Sequence, residues 1–99
     1  MRGIMVRYQV KPGQVELNEQ LVQAVYAELR QAKPDGFRYG TFRLADGVTF
    51  VHLAFNTGTD NPLSSVEAFG KFQEGIADRC DVPPAATELT EIGSYGLFS

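Results

Sequence analysis

Between Ile4 and Val10 the chain alternates. Ile4, Val6, Tyr8 and Val10 fall on one side of an extended segment, and Met5, Arg7 and Gln9 on the other. A period of two predicts a strand, ended by Lys11-Pro12-Gly13, where proline removes a ladder donor and glycine permits a sharp turn. From Glu16 to Gln31 the period lengthens. Leu17, Leu21, Val22, Val25 and Leu29 form one stripe with no Gly or Pro inside, which predicts a helix stopped by Lys33-Pro34-Asp35-Gly36. Phe37–Leu44 and Val48–Phe55 are strand-like runs joined by Ala45-Asp46-Gly47, a strong hairpin signal. After a polar loop over 56–61 a second helix begins. Ser64 and Glu67 have capping-box spacing, and Asn61 before Pro62 is a rival start. Phe69, Phe72, Ile76 and Cys80 then recur at helical steps, although Gly70 and Gly75 each weaken such a helix by about 1 kcal/mol relative to Ala. Val82-Pro83-Pro84 cannot continue it. Thr87–Ile92 reads as a fourth strand, and 93–99 as an extended tail lying across a neighbouring surface.

The order βαββαβ is the ferredoxin-like pattern. It predicts an α+β domain in which two helices cover one face of a four-stranded antiparallel sheet. The other face needs cover too. Val51, Leu53 and Phe55 point to one side of the third strand and Phe50, His52 and Ala54 to the other, while the second strand carries Phe37 and Tyr39 against Phe42 and Leu44. An antiparallel sheet can face water only when its open side is polar. The second cover expected here is an identical chain, so the protein is expected to be a homodimer.

Composition narrows the function classes. The 99 residues fit one domain, 1–99, and 43% apolar with 21% charged residues argues against disorder. A net charge of −3 with no Lys/Arg cluster disfavours nucleic acid and anionic membrane surfaces. No apolar run approaches the ~20 residues that span a bilayer, and the opening Met1–Tyr8 reads as a strand rather than a signal peptide. The single cysteine, Cys80, allows no intrachain disulfide, which points to a cytoplasmic home. With one His and one Cys no zinc site is expected, and no phosphate-binding glycine loop is present.

The strand followed by Lys11-Pro12-Gly13 and a helix, then Asp35-Gly36-Phe37 entering a hairpin, then Phe50-Val51-His52-Leu53-Ala54-Phe55 and a Phe-rich helix, resembles the dimeric α+β barrel proteins. Within them the chain is most similar to the antibiotic biosynthesis monooxygenase-like group, and the closing run 91–98 resembles its small uncharacterised bacterial members. The resemblance implies two sheets facing each other across a dimer and a pocket in each subunit between sheet and helices. It implies a cofactor-independent monooxygenase-like protein acting on or binding a small aromatic or polyketide-like molecule, with no cofactor. The alternative is a non-catalytic dimeric ligand-binding or stress-response protein. The haem-degrading branch uses an Asn on strand one, a Trp, and a His on the second helix, and this chain has none of them.

Candidate ligand-binding residues are therefore chosen by type and strand location. His52, the sole histidine, could be a general base or a ligand contact near neutral pH, or simply a hydrogen-bonded sheet histidine. Tyr8 and Tyr39 could line a pocket for a flat aromatic ligand or serve as core. Arg7 and Arg43 could clamp an anion, or form salt bridges with Glu88 or Glu91. Phe69 and Phe72 read as core by their helical spacing, and Cys80 as a buried, inert thiol at the end of the second helix.

Overall fold

The structure is a computed structural model that describes residues 2–97. Four strands, β1 (Arg2–Val10), β2 (Phe37–Arg43), β3 (Thr49–Asn56) and β4 (Cys80–Leu89), form one antiparallel sheet in the order β2-β3-β1-β4. Helix α1 (Val15–Ala32) follows β1, and α2 (Glu67–Gln73) with α3 (Ile76–Arg79) follows β3. This is the α+β, ferredoxin-like arrangement that the element order predicts.

The hairpin forms where Asp-Gly stands. Gly47 adopts φ 81°, and the Asp46 carboxylate accepts from the Thr49 hydroxyl and from the amides of Thr49 and Val48. Those donors, the Thr49 hydroxyl first, hold the Asp46 carboxyl below its ordinary range. Strand register then settles which sheet face meets the helices. Tyr8 pairs with Phe50, Val6 with His52 and Tyr39 with Ala54. Tyr8, Val10 and Phe50 are buried with Val22 and Val25 of α1 and Phe72 of α2. By alternation Met5, Val51, Leu53, Phe55 and Phe42 belong to the opposite face. No helix lies over that face among the described residues, and Phe42 is 57% exposed.

Several local expectations shift. In α1 the buried line is Asn18, Val22 and Val25, and Leu17 is 45% exposed, so the inward stripe lies one residue further along than the leucines suggest. The Ser64–Glu67 capping box does not form. Asn61 instead accepts from the Leu63 amide at the start of a 3₁₀ turn (Pro62–Ser65), and the Ser64 hydroxyl donates to the Asn61 carbonyl. The N-terminus of α2 is capped from outside: both carboxylate oxygens of Glu28 on α1 accept from the amides of Glu67 and Ala68, at 2.9 and 3.0 Å.

The second helix is also two pieces. Gly75 takes φ 74°, a left-handed geometry that glycine enters without a Cβ clash, and breaks the helix there. Cys80, expected on that helix, opens β4 instead and pairs with Val10. Strand four accordingly starts seven residues earlier than Thr87. It tolerates Pro83 and Pro84 because it is an edge strand whose pairing with β1 is irregular around Arg7 and Gln9. Of the expected tail, residues 93–97 form no regular element, Tyr95 is 94% exposed, and Phe98 and Ser99 lie outside the described residues. No helix among the described residues is long and apolar enough to cross a membrane.

Candidate functional site

The helix-facing side of the sheet and the α2–α3 segment enclose a cavity of about 630 Å³. Ile4, Val6 and Ala54 with the rings of Phe37, Tyr39, Phe69 and Phe72 supply apolar walls, and Arg2, Asn56 and the loop 58–61 supply a polar rim. Such a space accepts a small organic molecule. The aromatic rings reinforce one another. Phe37 stacks on Tyr39 at 5.7 Å between centroids, Tyr39 on Tyr26 at 5.4 Å, and His52 sits 5.4 Å from Phe72.

Into this apolar setting the strands deliver one connected line of polar groups. Alternation along β1, β2 and β3 places Tyr8, Tyr39, Thr41 and His52 on the same face. The Tyr8 hydroxyl lies 2.7 Å from His52 Nε2, while Tyr39 Oη and Thr41 Oγ1 lie 2.8 and 3.0 Å from Nδ1. The line continues on both sides. Tyr26 Oη meets Thr41 Oγ1 at 2.7 Å, and Asn18 Nδ2 donates to Tyr8 Oη at 2.9 Å. Behind Asn18 stands Arg79, whose Nε donates to Asn18 Oδ1 at 3.3 Å. The guanidinium is further held by the carbonyls of Phe72 (2.6 Å) and Glu74 (3.1 Å) and lies 5.3 Å over the Phe72 ring. Among the described residues no buried side-chain polar atom lacks a partner.

Burial keeps the line uncharged. It pushes the His52 pKa down to about 4, so the imidazole is neutral at physiological pH. It also pushes the hydroxyls of Tyr8 and Tyr39 well above the usual phenol range, and that of Tyr26 upward. Arg79 is the charge nearest the line. Buried at 5% exposure, it takes part in neither ion pair found among the described residues, and its neighbours are neutral carbonyls and an amide. Desolvation lowers its pKa, and its positive charge in turn favours negative charge on Tyr8.

Three of the five expected ligand-binding residues, His52, Tyr8 and Tyr39, come together on this cavity. The two arginines do not. Arg43 forms an exposed ion pair with Glu19 at 2.6 Å, not with Glu88 or Glu91, and Arg7 is an exposed residue on the opposite side of the sheet. Sequence reasoning passes over Asn18, Tyr26, Thr41 and Arg79. A signal existed for Asn18, because a polar residue on an inward helical line is the informative exception. Cys80 is buried, and burial raises its pKa. Among the described residues no group of three or more His, Cys, Asp or Glu is placed to hold a metal ion.

No family model matches the chain, and no curated protein sequence matches it. Solved structures do. A candidate antibiotic biosynthesis monooxygenase from Nitrosomonas europaea superposes with TM-score 0.75 at 15% identity, over 94% of this chain and 100% of that one. SnoaB, a cofactor-independent oxygenase from Streptomyces nogalater, superposes with TM-score 0.70 at 18% identity, over 96% of each chain. An L-rhamnose mutarotase from Formosa agariphila reaches TM-score 0.58 at 20% identity, over 96% of this chain and 99% of that one. These likenesses establish the fold.

Proposed function

We propose that this chain, whose fold is that of the antibiotic biosynthesis monooxygenase-like proteins, is a homodimer whose cavity takes a small, flat aromatic or polyketide-like molecule and oxygenates it without a cofactor. The observation that carries this reading is an aromatic-walled cavity of about 630 Å³ lined by a single connected row of neutral hydrogen-bonding groups. A sugar, as in a mutarotase, carries hydroxyls around its whole ring and would leave most of them unpaired against such walls. A flat ring with a few oxygens at one edge would not.

In a cofactor-independent oxygenation the substrate itself supplies the electrons. Oxidation of one ring methylene to a carbonyl by one O₂, with release of one water, balances. The chain's part is to bind, orient and hold the electron-rich anion of the substrate. His52, at about 4, is too weak a base to ionise a simple phenol of pKa about 10. The favoured substrates therefore have a hydroxyl acidified by conjugation to a carbonyl, and reach the cavity already ionised. Tyr39 can donate to that oxyanion, and the buried Arg79 charge biases the region toward negative charge.

The same weak basicity supports the second reading, a dimer that holds such a ligand without turning it over. Oxygen-electrode measurements with hydroxyanthrones, which carry the ring methylene that the reaction consumes, separate the two. Uptake that tracks product and falls in Tyr39→Phe supports the enzyme, and binding without uptake supports the carrier. A thermal-shift screen tests both together. A ligand at about 100 times its Kd stabilises by about 2.7 kcal/mol, and His52→Ala should diminish that shift. Failure of every quinone and phenol to raise the wild-type Tm would remove both readings. The open sheet face bearing Met5, Phe42, Val51 and Leu53 supports the homodimer, and the lone cysteine supports a cytoplasmic location. One domain over 1–99 accommodates all of this.

A further inference from the structure

We propose that Arg79 and Asn18 are positioning residues that lock His52 as its Nδ1–H tautomer, so that the cavity's ligand meets Tyr39 as a hydrogen-bond donor and must itself bring an acceptor. The protons can be placed one after another, starting from the guanidinium. Arg79 has donors only, and it cannot turn, because Nη2 and Nη1 are held by the carbonyls of Phe72 and Glu74. Its Nε therefore faces an acceptor, and the neighbour is Asn18. Asn18 is fully buried, so its amide has one satisfied orientation: Oδ1 to the guanidinium and Nδ2 to Tyr8. Tyr8 Oη thus accepts from Asn18. Its one proton has a single remaining partner among the described residues, His52 Nε2 at 2.7 Å. A neutral imidazole that accepts at Nε2 carries its proton at Nδ1.

Nδ1–H then donates toward Tyr39 Oη and Thr41 Oγ1. Neither hydroxyl gives its proton to His52. Thr41 and Tyr26 share one between them, and the Tyr39 proton is left to turn into the cavity. In the opposite tautomer Nδ1 would take the Tyr39 proton, and a ligand would meet oxygen lone pairs instead. The lock therefore favours a ligand whose nearest group is a carbonyl or an oxyanion over a neutral hydroxyl, which can accept from Tyr39 only weakly and is left with its own proton unpaired.

The tautomer half stands without any ligand, while the selectivity half rests on the cavity being the binding site proposed above. The test is a long-range ¹H–¹⁵N correlation spectrum of the imidazole in the empty wild-type protein near neutral pH. A protonated Nδ1 with a bare Nε2 is expected, and a protonated Nε2 would overturn the proposal. Asn18→Asp places a carboxylate between Arg79 and Tyr8. It accepts from both, draws the Tyr8 proton away from His52, and should reverse the tautomer. An unchanged tautomer in that folded variant overturns the relay. Should that variant not fold, Tyr8→Phe should abolish the preference for Nδ1–H, and persistence of the preference there overturns the relay equally. For the ligand, 1,4-naphthoquinone should bind the wild type about tenfold more tightly than neutral 1-naphthol, roughly one hydrogen bond's difference. Asn18→Asp should erase that ratio. Equal wild-type affinities overturn the selectivity, and binding of neither probe overturns it together with the proposed site, whatever the spectrum shows.

Discussion

Acidification should destabilise this protein, and a large share of the loss should come from His52. His52 is 5% exposed, and burial holds its pKa at about 4 against 6.5 for a free imidazole. The unfolded chain therefore binds a proton at a pH where the native chain refuses one. The sign follows from linkage: stability is complete above pH 6.5, falls as pH drops from 6.5 toward 4, and levels once both states are protonated. A gap of 2.5 pH units corresponds to about 3 kcal/mol, of which about 2.5 kcal/mol is lost by about pH 4.5. For a domain holding of order 5–15 kcal/mol this is a large share. Urea denaturation at pH 7 and about pH 4.5 measures it, with His52→Gln as the reference because an amide does not titrate. The variant retains the carboxylate contributions, among them that of Asp46, whose depressed pKa also removes stability in acid. Wild type should lose about 2.5 kcal/mol more than His52→Gln over that interval. Parallel losses in the two proteins would refute the claim that the imidazole is buried and neutral.

Other contacts carry their own expected outcomes. Glu28→Ala removes the carboxylate that caps α2 from α1, and should cost about 1–2 kcal/mol by urea denaturation; a loss below about 0.3 kcal/mol would mean that water serves those amides equally well. Gly75→Ala forces a Cβ into the left-handed region and should cost about 1–2 kcal/mol, although the Cβ itself meets nothing closer than Arg79 at 3.9 Å, so an unchanged midpoint would refute the backbone account. Leu53→Asp puts a charge in the middle of the open sheet face and should sediment as a single chain where wild type sediments as a dimer; a wild type that sediments singly at micromolar concentration refutes the paired sheets. Arg43→Ala breaks an ion pair whose side chains are 50% and 43% exposed, and should change stability by less than about 0.5 kcal/mol while leaving ligand-induced thermal shifts intact; loss of those shifts would return Arg43 to the site.

Much of the fold was legible because strands and helices announce themselves by period. Ile4–Val10 alternates cleanly, Val48–Phe55 is apolar on both faces but is tied to its neighbour by the Asp46-Gly47 hairpin, and once register is set His52, Tyr8 and Tyr39 must share a face. That is why three of the five candidates, chosen by residue type and strand location, meet on the cavity. The remainder depends on contacts across the fold. Asn18 was hidden by the stronger leucines beside it, since Leu17 and Leu21 suggested a stripe whose centre the packing moves by one position. Tyr26 and Thr41 lie on different elements and meet only after α1 docks on the sheet. Glu28 offers no local sign that it caps a helix 39 residues away. Arg43 was an attractive candidate by charge, and its partner Glu19 is 24 residues distant.

Arg79 was illegible for a different reason, and the same reason explains how it comes to serve the site. Extrapolating the spacing of Phe69, Phe72 and Ile76 carries one helix through to Cys80. In an unbroken helix the carbonyls of Phe72 and Glu74 would accept from the amides of Ile76 and Asp78. Both carbonyls instead receive Arg79, because the left-handed turn at Gly75 ends α2 first and leaves its last acceptors unpaired. A single turn of α3 then brings residue 79 back over the end of α2, where the guanidinium satisfies those carbonyls and presents its remaining donor to Asn18. The glycine that weakens the second helix thus creates the cradle for the buried Arg79 cation, and that cation orients the amide on which the Tyr8–His52 hydrogen bond depends. The local rule is broken where the candidate chemistry lies, as is expected when a functional arrangement and helix continuity compete for the same carbonyls.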